Sequence, residues 1–227
     1  MDIAAIKRLA GKFIVLDGPD GSGKSTQFAR LAACCREAGL VVREVREPGG
    51  TPIGEQIRAI LLSPANTEMG LWCEMMLYMA SRAQLVEECI RPALDRGELV
   101  LADRFISSTL AYQGTAGGLD CEAILSVGRV AVGSAWPDLT VILDLDGETA
   151  ARRIAPTAKS RRHGQVTGPT LFCDRVERRP ADYHRRVRQG FLDQAEADRP
   201  RHLVIDATPD PDRVFAALLE GLADRFG

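Results

Sequence analysis

The sequence predicts an α/β fold in which a mostly parallel sheet is covered by helices on both faces. Three observations predict it. Short apolar runs suited to strands alternate with segments of helical period along the chain. The strand runs are mostly apolar at successive positions, as a sheet buried on both sides requires. No internal repeat or low-complexity linker interrupts the 227 residues, a length that suits one large domain. A single domain over 1–227 is therefore expected.

The elements follow in order. Residues 12–17 (KFIVLD) form the first strand, short and rich in β-branched and aromatic side chains. Residues 24–38 read as a helix that Gly39 can end. A second strand spans 40–46, and a helix spans 53–62 with Ile53, Ile57, Ile60 and Leu61 on one side. Residues 71–96 read as one long helix, bent by Pro92 and closed by Gly97. The third strand is 98–103 (ELVLAD), followed by helices at 107–113 and 120–132. The fourth strand is 139–145 (LTVILDL), with helices at 148–154 and 180–197 beyond it. A fifth strand at 203–206 and a helix at 211–226 close the chain. The stretch 156–170 breaks the pattern, because Lys159, Arg161, Arg162 and His163 share it with glycines and prolines. A loop this long inside a compact domain is functional or disordered.

Composition excludes several classes. Apolar residues make up 45% of the chain, enough to bury a core without disulfides. A net charge of −2 argues against a strongly basic nucleic-acid binder. No apolar run is long enough for a transmembrane helix, and the first residues lack a signal core. The expected location is cytoplasmic. Cys34, Cys35, Cys73, Cys89, Cys121 and Cys173 form no C-x-x-C pair and suit neither a zinc site nor a disulfide framework. They are expected as reduced, buried or half-buried thiols.

Chemistry enters at Gly18-Pro19-Asp20-Gly21-Ser22-Gly23-Lys24-Ser25, the full G-x-x-x-x-G-K-[ST] pattern. It follows a strand and opens a helix. Its backbone N–H groups can converge on phosphate oxygens, and the helix N-terminus adds a positive dipole end. Lys24 can bridge the β- and γ-phosphates, and Ser25 can hold Mg²⁺. The loop alone does not choose between a kinase, a GTPase and a motor ATPase. The guanine-reading N-K-x-D motif is absent, since Asn66 is the only asparagine.

Asp103 ends the third strand, where it can orient a metal or its water, and Arg104 follows it. Motor ATPases commonly carry a glutamate at that next position. An arginine suits a second phosphorylated ligand better than a water nucleophile, although a strand-end ion pair is the plainer alternative. Arg46-Glu47-Pro48-Gly49-Gly50-Thr51 ends the second strand and, taken alone, reads as a turn.

Together these segments resemble thymidylate kinase, a member of the nucleoside-monophosphate kinase group with a P-loop NTP hydrolase-like, three-layer fold. The likeness runs from Phe13 to about Asp206. It rests on the phosphate loop with its acid Asp20, on Arg46 to Thr51, and on Tyr78-Met79-Ala80-Ser81-Arg82-Ala83-Gln84-Leu85-Val86. It continues through Asp103-Arg104-Phe105, Ser108-Thr109, Ala111-Tyr112-Gln113-Gly114, Pro137-Asp138-Leu139-Thr140 and Asp174-Arg175-Val176-Glu177. The resemblance implies a five-stranded parallel sheet, a lid over about 156–174, and transfer of phosphate from ATP to dTMP with Mg²⁺ on Ser25 and Asp103. It implies an ATP site from Gly18 through Thr26, with Arg152 or Arg153 against adenine. Arg46 and Arg104 would clamp the acceptor phosphate, near Pro48, and Asp20 would reach the sugar 3′-hydroxyl or its water shell. Tyr78 would stack on thymine, Arg82 would donate to a base carbonyl, and Ser108, Thr109 and Gln113 would lie near the base. Tyr112 would disfavour a 2′-hydroxyl. The position after the loop acid is Gly21, so the arginine assisting transfer would be Arg161 or Arg162 in the lid. ATP and dTMP are the partners implied, with no nucleic acid or membrane, in a homodimer. Another acceptor such as dUMP, or a nucleotide-binding protein without transfer activity, are the competing readings.

Overall fold

The central strands form where hydrophobic residues run unbroken. β1 (Phe13–Asp17), β3 (Leu99–Asp103) and β4 (Leu139–Asp144) are buried along nearly their whole length. The computed structural model describes residues 3–154 and 179–227. Among these, β2 (Val42–Arg46) and β5 (His202–Asp206) complete one parallel sheet of five strands, ordered β2-β3-β1-β4-β5.

Alternation along β1 divides the core in two. Ile14 and Leu16 pack on one face with Leu31 and Cys35 of α2 (Lys24–Glu37) and Leu218 and Leu222 of α10 (Pro211–Phe226). Phe13 and Val15 pack on the other with Met75 and Met79 of α4 (Leu71–Leu85) and Ile124 of α7 (Cys121–Val132). A smaller cluster joins Tyr112, Ile142 and Ala111 to Tyr183, Val187 and Phe191 of α9 (Ala181–Ala197).

Register sets up the site. Leu16 lies level with Asp103, and Asp103 lies level with Arg46. The carboxyl ends of β1, β2 and β3 therefore meet at one edge, and the residues that follow each strand enter the same space.

Several expectations shift. The predicted helix over 71–96 is α4, a π-helical turn over Val86–Ile90, and α5 (Arg91–Asp95). Pro92 lacks the N–H that would close an α-turn, and the distortion falls on the residues before it. The helix expected at 107–113 is α6 (Ile106–Thr109) continuing into a π-helical segment, Leu110–Ala116. A short α1 (Ile3–Lys7) precedes the first strand, and a 3₁₀ turn, Arg199–Arg201, precedes β5; neither was expected. The remaining helices are α3 (Pro52–Leu62) and α8 (Gly147–Ile154).

The sheet is not buried on both sides throughout. The edge strands β2 and β5 are partly exposed, because nothing pairs with their outer flanks among the described residues. On α3, Leu61 is buried while Ile53 and Ile60 are exposed. The five described cysteines are free, and Cys73 is exposed rather than covered. Burial pushes the Cys35 thiol up to about 12. The stretch 156–174, with Arg161 and Arg162, and the Asp174–Glu177 segment lie outside the described residues.

Candidate active site

The phosphate loop starts from a backbone that only glycine accepts. Gly18 has φ +133°, and a Cβ there would sit 2.5 Å from the Leu143 carbonyl oxygen. The loop can thus lie against β4 before turning into α2. Lys24 Nζ donates to the carbonyls of Gly18, at 3.0 Å, and Pro19, at 2.9 Å. Burial and Arg104 push the Lys24 ammonium down to about 8, against the pull of Asp20, Asp17 and Asp103.

Beside the loop, Arg104 adopts φ +69°, the left-handed region, with its N–H donating to the Leu16 carbonyl at 3.0 Å. This turns the side chain back across the end of β1. The guanidinium donates to Asp17 at 3.2 Å, Gly18 O at 3.2 Å and Ser108 Oγ at 3.0 Å, and also pairs with Asp20. Burial works against its charge, but the carboxylates of Asp20, Asp17 and Asp103 outweigh burial and keep it cationic. Burial alone would raise the Asp20 carboxyl. Arg104, Lys24 and the Tyr112 hydroxyl, which donates at 3.2 Å, hold it below its ordinary value.

Every residue expected around the acceptor lines one cavity of about 250 Å³: Asp20, Arg46, Pro48, Tyr78, Arg82, Arg104, Ser108, Thr109, Tyr112 and Gln113. Asp20, Asp103 and Arg104 also line a second cavity with Gly21, Gly23, Lys24, Ser25, Thr26 and Arg153. The two spaces share a wall at the loop. A third groove continues past Gly21, Ser22 and Gly23 to Ala207, Thr208 and Pro211. Arg153 borders it and donates to the carbonyls of Ala207 and Thr208 at 2.9 and 3.0 Å. Arg152 instead faces Glu148 on an exposed surface.

The acceptor cavity is built from four segments. Arg46 extends from β2 and is held by Glu55 at 2.9 Å. Glu55 also accepts from Gly50 N at 2.7 Å, which ties the Pro-Gly-Gly turn to α3. Arg82 of α4 is almost fully buried and grips Glu47 through two nitrogens, at 2.9 and 2.5 Å. It also donates to Phe105 O and Thr109 Oγ1, both at 3.1 Å. Arg104 lies over the Tyr112 ring at 5.3 Å.

Sequence reasoning missed several contributors. Asp17 is fully buried and accepts from Gly18 N, Ser107 Oγ and Ser108 Oγ at 2.9, 2.6 and 2.8 Å, besides Arg104. Its one signal was its place, a charge ending an apolar strand directly before the loop. Glu47 lies in the Arg46–Thr51 segment, where the sequence alone gives its carboxylate no partner. Nothing in the sequence marked Glu74 on α4, which is buried against Gln113 and Arg179.

A metal can be tested against the same geometry. Asp103 Oδ1 is buried without a hydrogen-bond partner among the described residues, and Asp103 lines the cavity that Ser25 also lines. Two oxygen donors at a phosphate loop fit Mg²⁺, which takes few protein ligands and completes its shell with phosphates and water.

The chain matches the family model for thymidylate kinase over residues 16–218. It is 46% identical over 215 residues to a thymidylate kinase of Deinococcus radiodurans, covering 95% of this chain and 98% of that one. It is 44% identical to one from Desulforapulum autotrophicum, covering 95% of this chain and 92% of the relative. Among solved structures, a thymidylate kinase from Ehrlichia chaffeensis superimposes with a TM-score of 0.73 at 29% identity, over 94% of this chain and 98% of that one. A phosphate loop joined to an arginine-walled acceptor cavity is what such an enzyme needs, and the match extends almost end to end: the chain belongs to the thymidylate kinase family of ATP-dependent kinases.

Proposed function

We propose that the protein transfers the γ-phosphoryl group of ATP to the phosphate of dTMP, giving ADP and dTDP for dTTP and DNA synthesis. The observation that carries this reading is the shared wall of Asp20, Asp103 and Arg104 between the loop cavity and the acceptor cavity. Two bound phosphates meeting there would be brought into line, and most of the rate of phosphoryl transfer comes from such positioning and charge neutralisation.

The loop from Gly18 to Thr26 holds the ATP phosphates, with Lys24 on the transferred end and Arg153 toward the adenine. Arg46 and Arg104 neutralise the acceptor phosphate. Asp20 and Tyr112, already hydrogen-bonded to each other, take the sugar side. Tyr78 offers a flat ring to the base, and Arg82, Thr109 and Gln113 bring polar side chains to the same cavity. Ser25 and Asp103 would hold Mg²⁺, which neutralises phosphate charge when bound. Charge on the transferred group falls to Arg161 or Arg162.

The same reading includes one domain over 1–227, a cytoplasmic location and a homodimer. Among the described residues no helix is long and apolar enough to cross a membrane. The dimer is supported by Ile53 and Ile60 on α3 and Trp72 and Met76 on α4, all exposed on helices that pack together.

A coupled ADP-release assay with ATP, Mg²⁺ and a panel of nucleoside monophosphates tests the proposal. Strong turnover with dTMP is expected, weaker with dUMP, and little with ribonucleotides. Lys24→Ala should lower kcat at least about 100-fold. No dTMP-dependent turnover above the ATP-only blank overturns the proposal. Equal rates with dTMP, dUMP and dCMP would mean a broader nucleotide kinase. Tight binding of both nucleotides without product would mean a binding protein.

A further inference from the structure

Glu74 is a fully buried carboxylate that phosphoryl transfer does not use. It lies on α4 one turn before Tyr78, with Met75 and Met79 beside it in the apolar core. A buried carboxylate is costly unless charge and hydrogen bonds compensate it. Here Oε1 accepts from Gln113 Nε2 at 2.6 Å, and Oε2 accepts from Arg179 at 3.2 Å. Arg179 is itself held over the Tyr183 ring at 4.8 Å.

This arrangement fixes the polarity of the Gln113 side chain. A carboxylate paired with an arginine only accepts, so the amide must turn its NH₂ toward Glu74. The carbonyl Oε1 is then the free end. Gln113 lines the acceptor cavity, and its Oε1 takes no hydrogen bond among the described residues. Gln113 therefore presents an oriented acceptor to a cavity that the guanidinium of Arg82 also lines. Thymine offers the complement, an N3–H donor next to an O4 acceptor. Cytosine offers the reverse, an N3 lone pair next to an N4 amine.

We propose that Glu74 is a positioning residue for acceptor selectivity, holding the Gln113 amide so that the cavity accepts the N3–H of thymine and opposes the N3 lone pair of cytosine. The inference rests on the dTMP reading and adds the residue that sets its base polarity. With Glu74→Gln, the neighbour can donate as well as accept, and the Gln113 amide is free to turn its NH₂ to the base. Cytosine then gains a donor for N3, and thymine loses its acceptor.

The test compares the KM for dTMP with the inhibition constant of dCMP against dTMP, so that a slow alternative acceptor is still measured. The ratio should shift toward dCMP by at least about 10-fold in Glu74→Gln. The KM for ATP should stay within about twofold. In a Gln113→Leu background, Glu74→Gln should change the ratio no further, because the amide it orients is gone. If Glu74→Gln does not fold, Glu74→Asp carries the test: it keeps the charge but is one methylene too short for the Gln113 amide, and the ratio should again shift. An unchanged ratio in the variant that folds, a parallel weakening of both nucleotides, or an independent effect in the Gln113→Leu background overturns the proposal. Absence of dTMP turnover in the unmutated enzyme would instead bring down the functional reading itself.

Discussion

At the scale of single residues, two neighbouring cations share the same carboxylates, Asp17, Asp20 and Asp103, yet are shifted in opposite directions. Arg104 occupies left-handed backbone, which is strained for a residue with a Cβ and persists where surrounding bonds determine it. Its bonds to Asp17, Asp20, Ser108 and two carbonyls do so here. For Lys24, burial and the repulsion of Arg104 prevail over those carboxylates and push it down to about 8. Only its protonated form attracts phosphate strongly. The group loses its proton as pH rises, so kcat/KM for ATP should fall above about pH 8. Bound phosphates favour the ammonium, so the fall in kcat should come at higher pH. A pH–rate profile checks both, and a flat kcat/KM up to pH 9.5 or so would contradict the assignment.

At the scale of elements, the buried pair Arg82–Glu47 joins α4 to the turn after β2. Burial raises the Glu47 carboxyl above its ordinary range despite the pull of Arg82. Arg82 also donates to Phe105 O and Thr109, so the pair is tied to the start of the segment that carries Tyr112 and Gln113. Glu47→Gln leaves a buried guanidinium without its counter-charge. It should cost roughly 3–5 kcal/mol and lower Tm on the order of 10 °C, read by calorimetry. It should also raise the KM for dTMP, since Arg82 lines the acceptor cavity. A variant as stable as the parent would show that the pair is dispensable.

At the scale of the whole molecule, parallel register does the assembly. Arg46, Asp103 and Leu16 are aligned across three strands, so residues distant in sequence reach one cavity without further rearrangement. The proposed dimer would use the exposed apolar side chains of α3 and α4. Light scattering at micromolar concentration should return twice the chain mass of 24.7 kDa. Trp72→Glu should shift it toward the single chain, because a charge would replace an exposed indole on that face. A single-chain mass for the unmutated protein would refute the dimer.

The sequence by itself determined the order and type of most elements, and it marked the phosphate loop. Those signals are local: an apolar run, a helical period, and glycines spaced so that backbone amides can meet phosphate. Ladder and helix ends moved by a residue or two because they depend on which neighbour supplies the next hydrogen bond. The π-helical turns at Val86–Ile90 and Leu110–Ala116 are not legible in the sequence, since an apolar period of 3.6 does not report a locally widened turn. Only the tertiary structure decided which charges are buried together. Glu74 meets Gln113 across 39 positions, and Asp17 meets Ser107 across 90. The cost of burying a carboxylate, and hence the reason to give it a partner and a role, exists only once the chain has folded around it.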